Sequence, residues 1–278
     1  MTDGLGGTDG SAGTGHRPSR PAPSVFGLGA GLIATVTTVA TAWDWKYGTG
    51  FSLLEVFDKF GNNNPVISAI PDTEFSQMFS PRSRNAFVET LRLAVLGTAS
   101  GVLVARPLAL WSTSFGAPNR VALVVVRTIS NVIRAFPDIL WALLFVSAVG
   151  IGVLPGVMAL FLFTIAVVTK LTADTLDGID MGPVEAANAT GARRAQMLRT
   201  AVVPQILPAY ASYSLYAFEL NLRASVVLGL VGAGGIGQRI EFFRSQNQWE
   251  KVWGLVVMFV IVVFIVDRVS TLVRRRLI

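Results

Sequence analysis

Apolar residues gather into about six long runs, near positions 24–43, 86–110, 121–149, 153–172, 209–231 and 252–273, separated by short polar connections. Each is close to the roughly 20 residues that a helix needs to cross a bilayer core. The second to fifth carry charges, Gly or Pro, so they predict helices packed in a bundle rather than simple lipid-facing rods. The pattern predicts an all-α polytopic membrane protein with about six transmembrane helices.

Three polar stretches interrupt this pattern. Residues 1–23 are rich in Gly, Ser, Thr and Pro and read as a disordered tail before a membrane domain spanning 24–278. The first apolar run ends in Ala40-Thr41-Ala42, a small-x-small pattern that also suits signal-peptidase cleavage; a retained span is the expectation. Loop 44–85 is long, and Phe51, Leu53, Leu54, Val56, Phe57 and Phe60 predict a short amphipathic helix on the outer surface, ended by Gly61-Asn62-Asn63-Asn64-Pro65.

The third stretch, about 178–204, is the most informative. Pro183 suits a first helical turn, and Glu185 in that turn complements the dipole. Gly191 can take positive φ and end the helix. Residues 192–202 predict a second short helix, stopped by Pro204 and Pro208. The expected product is a helix–turn–helix knob hung from a membrane domain.

Composition agrees. Hydrophobic residues make up 52% of the chain and charged residues 14%, against about 25% charged in soluble domains. The mean hydropathy is +0.56 and the pI near 10.2. The net charge of +6 is spread along the chain, which fits the positive-inside bias better than nucleic acid. With a cytoplasmic tail, Arg106, Arg120, Lys170, Arg193, Arg194, Arg199 and Arg274-Arg275-Arg276 all fall inside, and so do both termini and the knob. There is no Cys and a single His, His16 in the tail, which leaves no thiolate nucleophile and no Cys- or His-based metal site.

Glu185-Ala186-Ala187, Gly191 and Pro204, with Ala201 and Val203 in the aliphatic places before the proline, make the chain resemble the membrane subunits of binding-protein-dependent ABC importers. Ala201 is smaller than that pattern's usual residue. A longer likeness runs from Arg127-Thr128 through Arg134-Ala135-Phe136-Pro137 to Trp141-Ala142-Leu143, and resumes at Glu219-Leu220-Asn221-Leu222-Arg223-Ala224-Ser225 and Gly229–Gly237. Together these are similar to permeases of phosphonate-type importers, whose relatives carry phosphonate, phosphite or phosphate. The resemblance implies a type I ABC importer permease fold. It also implies a knob that couples to an ATPase through Glu185, Ala186, Ala187, Gly191 and Pro204. The implied partners are two ATPase subunits, an extracytoplasmic substrate-binding protein and a second copy of the chain. Arg193 and Arg194 could pair with acids on the motor or face solvent or lipid headgroups.

Two further features remain open at this point. Gly232-Ala233-Gly234-Gly235-Ile236-Gly237 satisfies G-x-G-x-x-G, but it follows an apolar run rather than a strand, so a nucleotide site is set aside. A plain Gly-rich turn and a non-helical gate element both fit; the gate is carried forward. Arg134, Glu219 and Arg223 lie inside apolar runs, where a charge costs about 2.5–3.5 kcal/mol. Glu219 and Arg223 are four apart and predict a pair on one helix face. They either fix packing or, with Arg134 and the neutral donors Asn221 and Ser225, line a path for a small oxyanion. No G-x-x-x-x-G-K-[ST] is present, so ATP and Mg would be held by a partner and no cofactor by this chain. An ion-coupled secondary transporter is the rival reading; such folds usually show internal repeats and more intramembrane acids.

Overall fold

A computed structural model describes residues 25–43 and 64–277 except 115. The tail 1–23 and the amphipathic stretch 51–60 lie outside the described residues. The chain divides into two units, Met1–Asn64 and Pro65–Ile278.

In the first unit α1, Val25–Trp43, realises the first apolar run, with Gly29–Ala40 as its apolar stretch. Its described threonines bond back to the helix backbone. The hydroxyls of Thr35, Thr37 and Thr38 donate to carbonyls one turn back at 2.8, 2.8 and 2.7 Å. Leu32, Ile33, Val36 and Val39 are all exposed.

The second unit is helical throughout its described regular structure: α2 (Pro65–Ser68), a 3₁₀ turn (Phe75–Phe79), α3 (Pro81–Trp111), α4 (Arg120–Ala135), α5 (Asp138–Val149), α6 (Val153–Leu176), α7 (Gly182–Ala189), α8 (Arg194–Met197), a π turn (Leu198–Val202), α9 (Val203–Leu230), α10 (Gly235–Ser245) and α11 (Trp249–Leu277). Among the described residues four helices are long and apolar enough to cross a membrane, or five if α4 and α5 form one broken span.

The stretch expected as a span at 121–149 is interrupted at Pro137: α4 and α5 meet at 89°. Pro137 has no N–H to continue the helix and holds Phe136 extended (φ −92°, ψ 136°). Trp141 Nε1 reaches back to the Ile133 carbonyl that the break leaves open, at 3.2 Å. The third helix starts earlier than expected, at Pro81, because Ser80 caps it by accepting the Ser83 N–H at 3.2 Å.

Close backbone approach holds the bundle centre. Gly97 and Gly101 of α3 lie one turn apart against α6; a Cβ on either would fall 2.6 Å from Leu160 Cβ or 2.5 Å from Thr164 Cβ. This is the small-x-x-x-small contact of membrane helices. Asn221 of α9 is fully buried and donates to Thr98 and Thr164 Oγ1 at 2.8 and 2.7 Å, joining α3, α6 and α9.

The bundle has two distinct ends. One gathers the C-terminal ends of α3 and α6, the start of α9 and the segment α7–α8, around buried Leu176, Val184, Met197, Ala201, Val202 and Ile206, with Leu110 packed against them. The other gathers the start of α3, the end of α9, α10 and the start of α11 around Phe87, Ile236, Ile240, Phe243, Val252 and Leu255. There Glu74 N–H donates to Glu250 O at 3.0 Å and Trp253 Nε1 to Val66 O at 2.8 Å, laying the preceding segment along α11. Hydrogen bonds from Ser76 and Gln77 hold the Glu74 carboxyl below its ordinary pKa.

Candidate functional site: a docked knob and a broken path

The knob forms as its residues dictate. Pro183 and Glu185 occupy the first turn of α7, and Thr190 is its C-cap. Gly191, at φ +72°, donates to Asn188 O at 3.0 Å, and Ala192 donates to Ala187 O at 3.1 Å. That pair of bonds is a Schellman ending, which needs a left-handed residue at Gly191. Nothing lies within 4 Å of a Cβ built there, so the demand is purely conformational. Gly191→Ala is expected to weaken the knob locally by about 1–2 kcal/mol, the cost of an L-residue in that region. Amide exchange at Ala192 should accelerate about tenfold, whereas Thr98 in the core should not change.

One face of α7 is anchored and the other is free. Val184 is buried and Ala187 partly so, while Glu185, Ala186 and Gly191 are exposed. Gln205, which the sequence did not single out, locks the knob's entry to α9. Its Nε2 donates to Asp180 O at 3.2 Å and its Oε1 accepts Asp180 N–H at 3.1 Å. Gln196 Oε1 accepts the Arg193 N–H at 2.9 Å, starting α8, and Arg193 itself is exposed. Arg194 turns inwards to donate to the Ala117 carbonyl after α3, so it braces the knob. Beside it Arg127 bridges Ser112 O at 2.6 Å and Asp177 at 3.1 Å, tying α4 to the end of α6.

Pro204 and Pro208 do not stop a helix, contrary to expectation; Pro204 sits in the first turn of α9 and Pro208 lies inside it. The Thr200 carbonyl, which would clash with the Pro204 ring in a regular α-helix, lies in the π turn, where the wider ring relieves it. The knob's second helix therefore runs on into a membrane helix.

The intramembrane charges also pair differently from expectation. Glu219 does not meet Arg223. Its carboxylate, buried at 7% exposure, accepts from Arg274 of α11, and Arg223 pairs with Asp267 at 3.2 Å. Both pairs join α9 to α11. Asn221 and Ser225 are core residues here, Ser225 donating to Leu222 O at 2.7 Å. To serve as donors to a cargo they would have to leave those partners. Arg134 is exposed and lines a cavity of about 370 Å³ at the α4–α5 break, with Phe136, Asp138, Trp141 and Phe163.

The Gly-rich segment is a tightly docked turn. Gly232, Gly234 and Gly235 have φ of 93°, 84° and 76°. Gly152 before α6 donates to Gly232 O at 3.0 Å. Glu89 and Thr90 of α3, also missed in the sequence, accept the N–H groups of Gly235 and Ile236 at 3.0 and 2.7 Å. Gly237 lies in the first turn of α10 against Gly229 of α9.

Residues 83–278 match the family described as binding-protein-dependent transport system inner membrane component. The chain is 37% identical over 256 residues to the phosphite transport system permease protein PtxC of Stutzerimonas stutzeri, covering 90% of this chain and 91% of that protein. It is 39% identical over 188 residues to the phosphate-import permease protein PhnE of Mycolicibacterium smegmatis, covering 68% of this chain but only 35% of that longer protein. A crystal structure of an amino acid ABC transporter superposes with a TM-score of 0.63 at 21% identity, over 73% of this chain and 99% of the other. An inward-facing MetNI methionine ABC transporter gives 0.60 at 21%, over 72% and 100%. At that identity the two solved structures speak for the fold alone.

Proposed function

The chain belongs to the inner-membrane components of binding-protein-dependent transport systems, and from that premise we propose that its cargo is a phosphorus oxyanion and its motor a separate ATPase. It is a multi-pass membrane permease of the ABC importer class with the type I fold. Two copies would enclose the path, two ATPase subunits would drive it, and an extracytoplasmic binding protein would deliver phosphate, phosphite or a phosphonate. The knob and both termini lie on the cytoplasmic side in this reading, where the positive-inside bias puts them.

The observation that carries the reading is the two-faced α7. Val184 is buried in the base of the bundle while Glu185 is presented outwards. A force on that outer face has rigid routes inwards: through the Asp180–Gln205 bonds to α9, and through Arg194 to the end of α3. The half-exposed Arg223–Asp267 pair supports two copies around a path, because a charged pair at membrane depth belongs beside water or protein rather than lipid.

The test is co-purification with the candidate ATPase, followed by uptake in proteoliposomes carrying the binding protein. Glu185→Lys reverses the charge on the exposed face. It should weaken ATPase association at least about tenfold, the scale of a lost interfacial charge contact, and ATP-driven uptake should fall with it. If association and uptake both stay at wild-type level, the coupling role of α7 is wrong.

A further inference from the structure

At the end of the bundle opposite the knob, the start of α3 and the first turns of α10 enclose an open cavity of about 430 Å³ lined by Arg82, Asn85, Glu89, Gly235, Gln238 and Arg239. Its polar wall is mostly donors: two guanidinium groups and two carboxamides against one carboxylate. Glu89 is already engaged, accepting the Gly235 N–H at 3.0 Å at the start of α10. Neither arginine has a carboxylate partner among the described residues. The Arg239 guanidinium lies 5.0 and 4.4 Å from the ring centroids of Phe242 and Phe243, which fix its plane. Its Nε is buried and has no acceptor. A buried donor without an acceptor is costly, and a planar fork held by aromatic rings suits bidentate binding of a tetrahedral oxyanion.

We propose that Arg82 and Arg239, with Asn85 and Gln238, form a receiving site for a phosphorus oxyanion at the outer mouth, beside the Gly-rich turn. The proposal rests on the importer reading for its biological direction, but not for the binding itself. The site lies where cargo released by a binding protein would arrive, and the Glu89–Gly235 bond links it to the turn that closes the end of α9. One carboxylate among the donors keeps the site from holding a dianion too tightly to pass on.

Binding is measured first, by phosphorus NMR line broadening of inorganic phosphate, phosphite and methylphosphonate with the purified chain in phospholipid-free detergent. At least one anion should be broadened, and Arg239→Gln and Arg82→Gln should each weaken that binding about tenfold or more, the scale of a lost charge-assisted hydrogen bond. Arg239→Lys should recover part of it. Unchanged binding in both Gln variants overturns the site, as does broadening of none of the three anions. If broadening in the wild type is abolished by adding excess phospholipid, the site belongs to lipid headgroups and the proposal fails. Arg82 is exposed, so its variant remains informative if Arg239→Gln does not fold. In proteoliposomes of the whole complex, the Gln variants should lower uptake per ATP hydrolysed at saturating loaded binding protein, while its stimulation of ATP hydrolysis stays within about twofold. Joint loss of stimulation and uptake would instead assign the arginines to docking of the binding protein. Absence of ATP-driven uptake in the wild type would sink the importer reading, with the detergent measurement still deciding the site.

Discussion

Replacing Gly237 with alanine is expected to destabilise the chain by about 3 kcal/mol or more, at the upper end of what overpacking costs. A Cβ at this position would fall 1.9 Å from the Val226 carbonyl oxygen and 2.9 Å from Gly229 Cα. Both obstacles are backbone, so no side chain can rotate aside, and the end of α9 would have to part from α10. That separation would also pull Gly235 and Ile236 from Glu89 and Thr90. Thermal unfolding in detergent reads the effect, with Gly31→Ala as the control, since nothing among the described residues lies within 4 Å of a Cβ there. A Gly237→Ala protein within about 0.5 kcal/mol of wild type, the range of an ordinary surface change, would show that the two helices are not in backbone contact.

The second large effect is expected at Glu219 and Arg274. Arg274→Leu removes the partner of a carboxylate that is 7% exposed, leaving it buried without its partner. Breaking such a pair from one side costs about 3–5 kcal/mol, whereas replacing both partners by apolar residues is often neutral. Glu219→Leu with Arg274→Leu should therefore be more stable than Arg274→Leu alone, by at least about 2 kcal/mol in a double-mutant cycle. The Arg223–Asp267 pair, close to half exposed on both sides, should show a much smaller effect when Asp267 is changed to Asn. Equal stability of Arg274→Leu and wild type would sink the buried pair.

Much of this is legible in the sequence alone. The knob follows from residues whose backbone demands are local: Pro183 at a helix start and Gly191 at a helix end. The break at Pro137 follows from its missing N–H. What escaped was chiefly relational. Glu219 and Arg223 satisfy the spacing for an intrahelical pair, but spacing on one helix says nothing about α11, which offers Arg274 and Asp267 to the same groups. Glu89 and Gln205 could not be told from surface polar residues until the turn and Asp180 were beside them. Pro204 was misread because a proline near an α-helical pattern signals an end, and only the π turn before it shows a continuation. Gly97 and Gly101 were a missed signal in plain sight, small residues one turn apart in an apolar run.

The π turn at Leu198–Val202 has a geometric corollary. It inserts an extra residue into what is otherwise a single helical rod from Arg194 to Leu230, and in an α-helix one residue corresponds to about 100° of rotation. The compass bearing of the knob, seen down the axis of α9, thus depends on a counting mismatch as well as on the bonds of Gln205 and Arg194. Squeezing that mismatch out would swivel the lever around its shaft and part the Gln205 and Arg194 bonds that hold it.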